Sequence, residues 1–294
     1  MSAPASPATS PVVAAPGPLS ERLRARPGPV ILTAYDPGAT PGFTGGKKAG
    51  KKALARLGGP LTDLQERLYA ESRGGGERRV LLVLQGMDTS GKGGIIKHCA
   101  GLLDPQGVSL MSFKAPSDEE RRHDFLWRIE PHAPAPGMVG IFDRSHYEDV
   151  LIVRVRSLAS ASEIDRRYDA INEFEQRLGD AGSTTIIKCF LHISKETQGE
   201  RLLARLTDPT KHWKFNPGDV DERRLWPDYQ RAYEIALERC STTIAPWYIV
   251  PSDRKWYRDW AITTLLTEHL SALDPQWPKG DFDVDEQKAR LSAS

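Results

Sequence analysis

Cysteine is scarce in this chain. There are three in 294 residues, Cys99, Cys189 and Cys240, odd in number, far apart and without metal-ligand spacing. That excludes a disulfide framework and a cysteine-based metal knuckle, and the thiols read as reduced core residues. Net charge is nearly absent too: Lys+Arg 40 against Asp+Glu 39 leaves a formal +1, so bulk charge offers no footprint for nucleic acid or an anionic membrane. Any anion site has to be local. No run approaches the roughly 18 consecutive apolar residues of a membrane span, and the Ala/Pro/Ser-rich start lacks the basic and apolar regions of a secretory leader. The expectation is a cytoplasmic protein with no membrane or nucleic-acid partner. Bulky apolar residues are also missing from Met1 to about Leu19, which therefore reads as a disordered tail. Internal repeats are absent.

What is present is an alternation of strands and helices. After a basic, partly helical extension over residues 20–76, with a Gly/Lys-rich stretch at Gly45–Lys52 and a helix at Leu61–Ser72, comes Arg-Val-Leu-Leu-Val-Leu-Gln at Arg79–Gln85. This buried-strand run is followed by strands predicted at Val108–Phe113, Met138–Asp143, Thr184–Ile193 and Pro246–Val250. Between them lie helices from a Ser117-x-x-Glu120 capping box toward Ile129, from Ser162 through an Ile164/Tyr168/Ile171/Phe174/Leu178 stripe, at Glu196–Leu206 and at Trp256–Leu270. Such alternation implies an α/β fold with a parallel central sheet flanked by helices. The core spans residues 77–275, leaving 276–294 as a C-terminal tail.

The first strand runs directly into Gly86-Met87-Asp88-Thr89-Ser90-Gly91-Lys92-Gly93-Gly94. Glycines let successive backbone N–H groups point into one concavity, the following helix start adds positive potential, and Lys92 supplies a mobile charge. Phosphate suits all three, and residues 86–94 read as a phosphate-binding loop. The Ser or Thr that would hold Mg²⁺ after the lysine is Gly93, so the metal needs another ligand. Asp88, inside the loop, can supply it, as can Asp143 at the end of the third strand, which should face the same crevice. Arg144 beside it can reach a transferring phosphoryl. His146 and Tyr147 read as packing residues, and Glu148 and Asp149 as a helix-start acidic pair. Arg201 and Arg205 share one helix face and read as phosphate clamps ahead of a basic, aromatic loop that would form a mobile lid over about residues 207–224.

In order, the segments GMDTSGKGG, SFKAPSDEE, FLWRIEP, FDRSHYEDVLIVRV, RLTDPTKHWKF and APWYIVPSDRKWYRDWA resemble the polyphosphate kinase 2 family over about Ser20 to Leu270. The resemblance implies a P-loop kinase-like three-layer sandwich with a helical lid. It also implies Mg²⁺-dependent phosphoryl transfer, with Mn²⁺ as an alternative, between inorganic polyphosphate and AMP, ADP or ATP, with guanine nucleotides as further candidates. Homo-oligomers, dimers or tetramers, are expected. It assigns Asp88 and Asp143 to the metal, Lys92 to the loop, Arg144 and Arg205 to phosphate clamping, and Lys211 and Lys214 to the lid. Lys114 and Arg128 join the loop residues and Arg201 as further phosphate- or nucleotide-binding candidates. The SHYEDV form is similar to the subgroup that accepts both AMP and ADP, although Asp143 stands where that subgroup has asparagine. Two other readings use the same features: an ATP-dependent small-molecule or nucleoside kinase, and a non-catalytic polyphosphate or nucleotide binder.

Overall fold

In the computed structural model, which describes residues 17–180 and 183–294, the first strand, β1 (Arg79–Gln85), is buried at every position after the first. A Val/Leu run without polar alternation requires cover on both faces. β1 is the centre of a five-stranded sheet with β2 (Val108–Ser112), β3 (Val139–Asp143), β4 (Thr184–His192) and β5 (Trp247–Pro251), ordered β2-β3-β1-β4-β5. Every pairing is parallel, and Leu84 and Ser112 both lie opposite Asp143. The carboxyl ends of the strands therefore share one edge, where ligands of open α/β sheets gather.

The helices form two layers. Along β1, Leu81 and Val83 face one core with Phe142, Phe190 and Ile249, closed by α5 (Ala161–Gly179) and α8 (Trp226–Arg239). Val80, Leu82 and Leu84 face the other, closed by Leu61 and Leu68 of α2 (Lys47–Arg73), Ile95 of α3 (Lys92–His98) and Leu265 and Leu266 of α9 (Lys255–Leu273). Each fully buried Leu or Ile stabilises the sandwich by about 1.5–3 kcal/mol relative to exposure. The remaining helices are α1 (Leu19–Leu23), α4 (Ile152–Val155), α6 (Lys195–Thr207), α7 (Gly218–Glu222) and α10 (Val284–Ser292).

Several expectations shift. The extension's helix is α2, which begins at Lys47 rather than Leu61 and continues through Pro60. Tertiary contact holds the added turns: Gly50 lies so close to Trp256 that a Cβ there would sit 2.1 Å from the indole ring. At the other end, Glu71 accepts from the Gln276 amide at 3.2 Å, so α2 and α9 run parallel with their starts together. The reading of residues 1–16 as a disordered tail lies outside the described residues. Its proposed end at Leu19 falls inside α1, where Leu19 is buried and the Leu19 and Ser20 amides donate to the Glu268 carboxylate at 2.7 and 2.9 Å. The cap of α5 is Ser160, whose hydroxyl accepts from the Glu163 amide, with Ser162 inside the first turn. Ser117 and Glu120 make both bonds of the capping box, yet only a 3₁₀ turn at Glu120–Arg122 follows, because His123 is extended and Asp124 restarts the chain by accepting from the Leu126 amide. The stretch 276–294 holds α10, capped by Asp283 and without a buried residue.

Candidate active site

Between β1 and α3 the chain takes positive φ at three residues, Gly86 (φ 152°), Thr89 (φ 63°) and Gly91 (φ 114°). Gly91 has a second requirement. A Cβ there would lie 1.7 Å from the Arg258 guanidinium, which supports the loop from behind by donating to the Ser90 carbonyl at 3.2 Å while Asp259 holds it at 2.6 Å. Among the described residues, the amides of Asp88, Thr89, Gly91, Lys92 and Gly93 meet no acceptor, and the hydroxyls of Thr89 and Ser90 are buried without a partner. Buried donors left open in this way are rare and fit an anion with several oxygens. Lys92 bridges the loop, its ammonium donating to the Gly86 carbonyl at 2.7 Å. Burial lowers its pKa below the usual lysine range, opposed by Asp88 and Asp143.

Across the crevice, β3 ends at Asp143, whose carboxylate accepts from the Ser112 hydroxyl at 3.4 Å. Arg144 follows in a left-handed conformation (φ 65°), uncommon for a residue with a side chain and costly enough to need surrounding support. That turn aims its guanidinium at Asp88, 3.4 Å away. Asp88, Lys92, Asp143 and Arg144 thus occupy one crevice. Among the described residues no cluster of three metal-ligating side chains exists. A divalent cation between Asp88 and Asp143 would therefore complete its oxygen shell with phosphate and water, as Mg²⁺ commonly does.

Other candidates take different places. Arg205 points at the lid, donating to the Lys214 carbonyl at 2.8 Å and pairing with Asp219 at 3.3 Å. Lys114, Lys211 and Lys214 are exposed, Lys211 pairing with Asp208 and Lys214 lying over the Trp213 ring. Arg128 is buried, donating to the Lys114 carbonyl and pairing with Asp149. Its donors serve the protein. Arg201 is a clear correction: it does not reach toward phosphate but donates to the carbonyls of Thr89, Ser90, Ser252 and Asp253 at 2.6–3.1 Å. It buttresses the loop, because a guanidinium flanked by four carbonyls satisfies itself locally.

Sequence reasoning missed several supports. Glu148 is a half-buried carboxylate facing the crevice, met at 3.1 Å by the Gln85 amide nitrogen once that amide is oriented to satisfy both its ends. Burial raises its pKa, opposed by Arg144 and Lys92. From the lid, Asp219 faces the same centre, its pKa raised by burial and then by Asp88. Gln198 donates to the Asp88 carbonyl. Only pairs distant in sequence reveal these roles, so local pattern gave no signal. His146 and Tyr147 are buried as expected, the tyrosine hydroxyl donating to Glu175 at 2.8 Å beside the buried Lys188.

Comparison with known proteins agrees with this geometry. The polyphosphate kinase 2 family model matches residues 45–278. An AMP/ADP-polyphosphate phosphotransferase from Meiothermus ruber is 46% identical over 260 residues, covering 88% of this chain and 96% of that protein. An ADP-polyphosphate phosphotransferase from Rhodopseudomonas palustris is 42% identical, covering 74% and 78%. The crystal structure of polyphosphate kinase 2 from Arthrobacter aurescens TC1 superposes with a TM-score of 0.92 at 53% identity, covering 94% of this chain and 97% of that one. With the match running from the lysine-rich start of α2 to beyond α9, and the open loop amides at its heart, the chain belongs to the polyphosphate kinase 2 family of phosphotransferases.

Proposed function

We infer that the protein transfers the end phosphoryl of inorganic polyphosphate to AMP and ADP, giving ADP and ATP, with Mg²⁺ as the metal. The observation that carries this reading is the convergence of Asp88 and Asp143 on a loop whose amides lack acceptors. A terminal phosphate oxygen of the nucleotide attacks the last phosphorus of the chain, the bridging P–O bond breaks, and a polyphosphate one unit shorter leaves. The attacking oxygen is already ionised near neutral pH, so positioning and charge neutralisation carry the catalysis. The loop amides and Lys92 hold the migrating group. Arg144 reaches the charge that develops on it, while Arg205 at the end of α6 faces the polyanion and Lys211 and Lys214 close over it from the lid. Asp88 and Asp143 would hold the cation, which when bound would supply further neutralisation of phosphate charge.

Guanine nucleotides fit the same phosphate contacts, which touch no base. Assembly as a homo-oligomer is supported by exposed apolar side chains, among them Leu110 on the edge strand β2 and Trp277, Phe282 and Leu291 near the C-terminus. A cytoplasmic setting agrees with Cys99, Cys189 and Cys240, all buried and unpaired. No described helix is long and apolar enough to cross a membrane. The test is ATP formation from ADP, and ADP formation from AMP, with polyphosphate and Mg²⁺ and no ATP supplied. Transfer supports the reading. Activity seen only with ATP and a hydroxyl acceptor would assign the site to the rival kinase class.

A further inference from the structure

Five cations begin α2, Lys47, Lys48, Lys51, Lys52 and Arg56, and within the helix no acidic residue occurs before Asp63. Helical geometry arranges them in two rows, Lys47 with Lys51 and Lys48 with Lys52 and Arg56, spanning about 14 Å. All are exposed, and among the described residues none pairs with a carboxylate, whereas Asp63, the next acid, pairs with Arg67 at 2.7 Å. The arrangement works against the helix. Like charges four apart repel, and cations at a helix start oppose the dipole. Among the described residues no carboxylate offsets either, and packing of Gly50 on Trp256 holds the turns instead.

Placement gives the pattern a purpose. β5 ends at the sheet edge that carries the active site, so α9, which follows it, starts there. Because Gly50 abuts Trp256 in the first turn of α9, α2 starts at the same edge. In the first turn of α9 stands Lys255, exposed, whose pKa is lowered by desolvation and then by the cations Arg201, Arg258 and Lys211. Lys255 thus carries positive charge from beside the lid's Lys211 to the start of α9, the edge at which α2 also begins.

We propose that Lys47, Lys48, Lys51, Lys52 and Arg56 form an outer docking track for the polyphosphate donor, gripping phosphates remote from the reacting end. The track rests on the polyphosphate-transfer reading of the site and deepens it. A short oligophosphate fills the crevice without reaching α2, whereas a long chain engages both, so the track acts on the affinity for long donors alone.

The experiment replaces Lys47, Lys48, Lys51 and Lys52 together by Gln and measures transfer to ADP from inorganic tetraphosphate and from long-chain polyphosphate, at low and high salt. The expected result is a KM for the long chain raised about tenfold, with kcat and the tetraphosphate KM unchanged and a flatter salt dependence. Unfolding temperature should hold or rise as repulsion is relieved. An unchanged long-chain KM, or an equal rise for both donors, overturns the track. So does duplex DNA that displaces long-chain polyphosphate from the wild-type protein at equal charge concentration, since the patch would then serve nucleic acid. Wild-type protein that transfers from neither donor fails the functional reading itself, an outcome distinct from transfer with unaltered KM.

Discussion

Lys92 and Lys188 are chemically the same group, the first half-buried and the second fully enclosed, and their surroundings give them opposite tasks. Lys188, on β4, is 0% exposed and spends its ammonium on Glu175, the Tyr147 hydroxyl and the Cys240 carbonyl, while Glu175 is met again by Tyr147 and His146. Such a closed network fixes α5, the sheet and the segment after Arg144 in one register. Around Lys92, by contrast, Arg144 and Asp88 remain 42% and 31% exposed and stand 3.4 Å apart, with amides left open beside them. Charges whose partners are all protein groups build the frame, and charges with spare capacity mark the site. Arg201 and Arg144 repeat the contrast, the first fully committed to carbonyls and the second to one long contact.

The sharpest way to break this comparison is to exchange the outcomes of the two lysines. Lys92→Ala should lower kcat about a thousandfold, as loss of a group stabilising transition-state charge does, with the unfolding temperature unchanged. Lys188→Met should do the reverse, costing about 3–5 kcal/mol because the buried Glu175 carboxylate loses its lysine partner. Adding Glu175→Leu should restore much of that loss in denaturant titrations. If Lys92→Ala unfolds the protein, or Lys188→Met is stable but inactive, the division between frame and site fails. Next in size, Asp143→Asn should raise the Mg²⁺ concentration for half-maximal activity about tenfold, since one anionic metal ligand becomes neutral; an unchanged titration refutes its metal role. Gly91→Ala should cost about 1–3 kcal/mol through its left-handed backbone and raise substrate KM by displacing Arg258 from the loop.

The smallest effect concerns pH, where the two carboxylates of the comparison carry opposite signs. For Glu175, burial would raise the pKa, but Lys188 and His146 more than offset it, so its folded pKa lies below the ordinary 4.5. Its stabilising contribution is present above 4.5 and is lost as pH falls through the depressed value. Glu148 is raised by burial, so its contribution is present below 4.5 and is lost as pH rises through the elevated value. Glu148→Gln should therefore stabilise the protein slightly above that value and leave the acid side unaltered, read as unfolding temperature against pH.

The parallel sheet and phosphate loop were legible because both are local patterns: an unbroken Val/Leu run entering glycines can hardly fold otherwise. α8 was missed, although Tyr229, Ala232, Tyr233, Ala236 and Leu237 keep helical spacing and are buried, because its interleaved charges continue the charged run of the lid before it. The early start of α2 was hidden by its glycines and lysines, which look like a solvated loop until Trp256 is brought against Gly50. The shared crevice of Asp88, Lys92, Asp143 and Arg144 was readable from strand ends and loop chemistry. Arg201 was misread for the reason that separates sequence from structure throughout: helix spacing shows which face a guanidinium occupies, while only folding shows whether carbonyls have already claimed its donors.

That claim has a mechanical consequence. Since Arg201 rivets the middle of α6 to residues 89–90 on one side and 252–253 on the other, the helix is a fixed post rather than a moving arm. Any swing of the cover must pivot after Arg201, near Thr207 and the extended Asp208 that ends α6. A lid over residues 207–224, as the sequence proposes, would thus turn on the same anchorage that shapes the cradle.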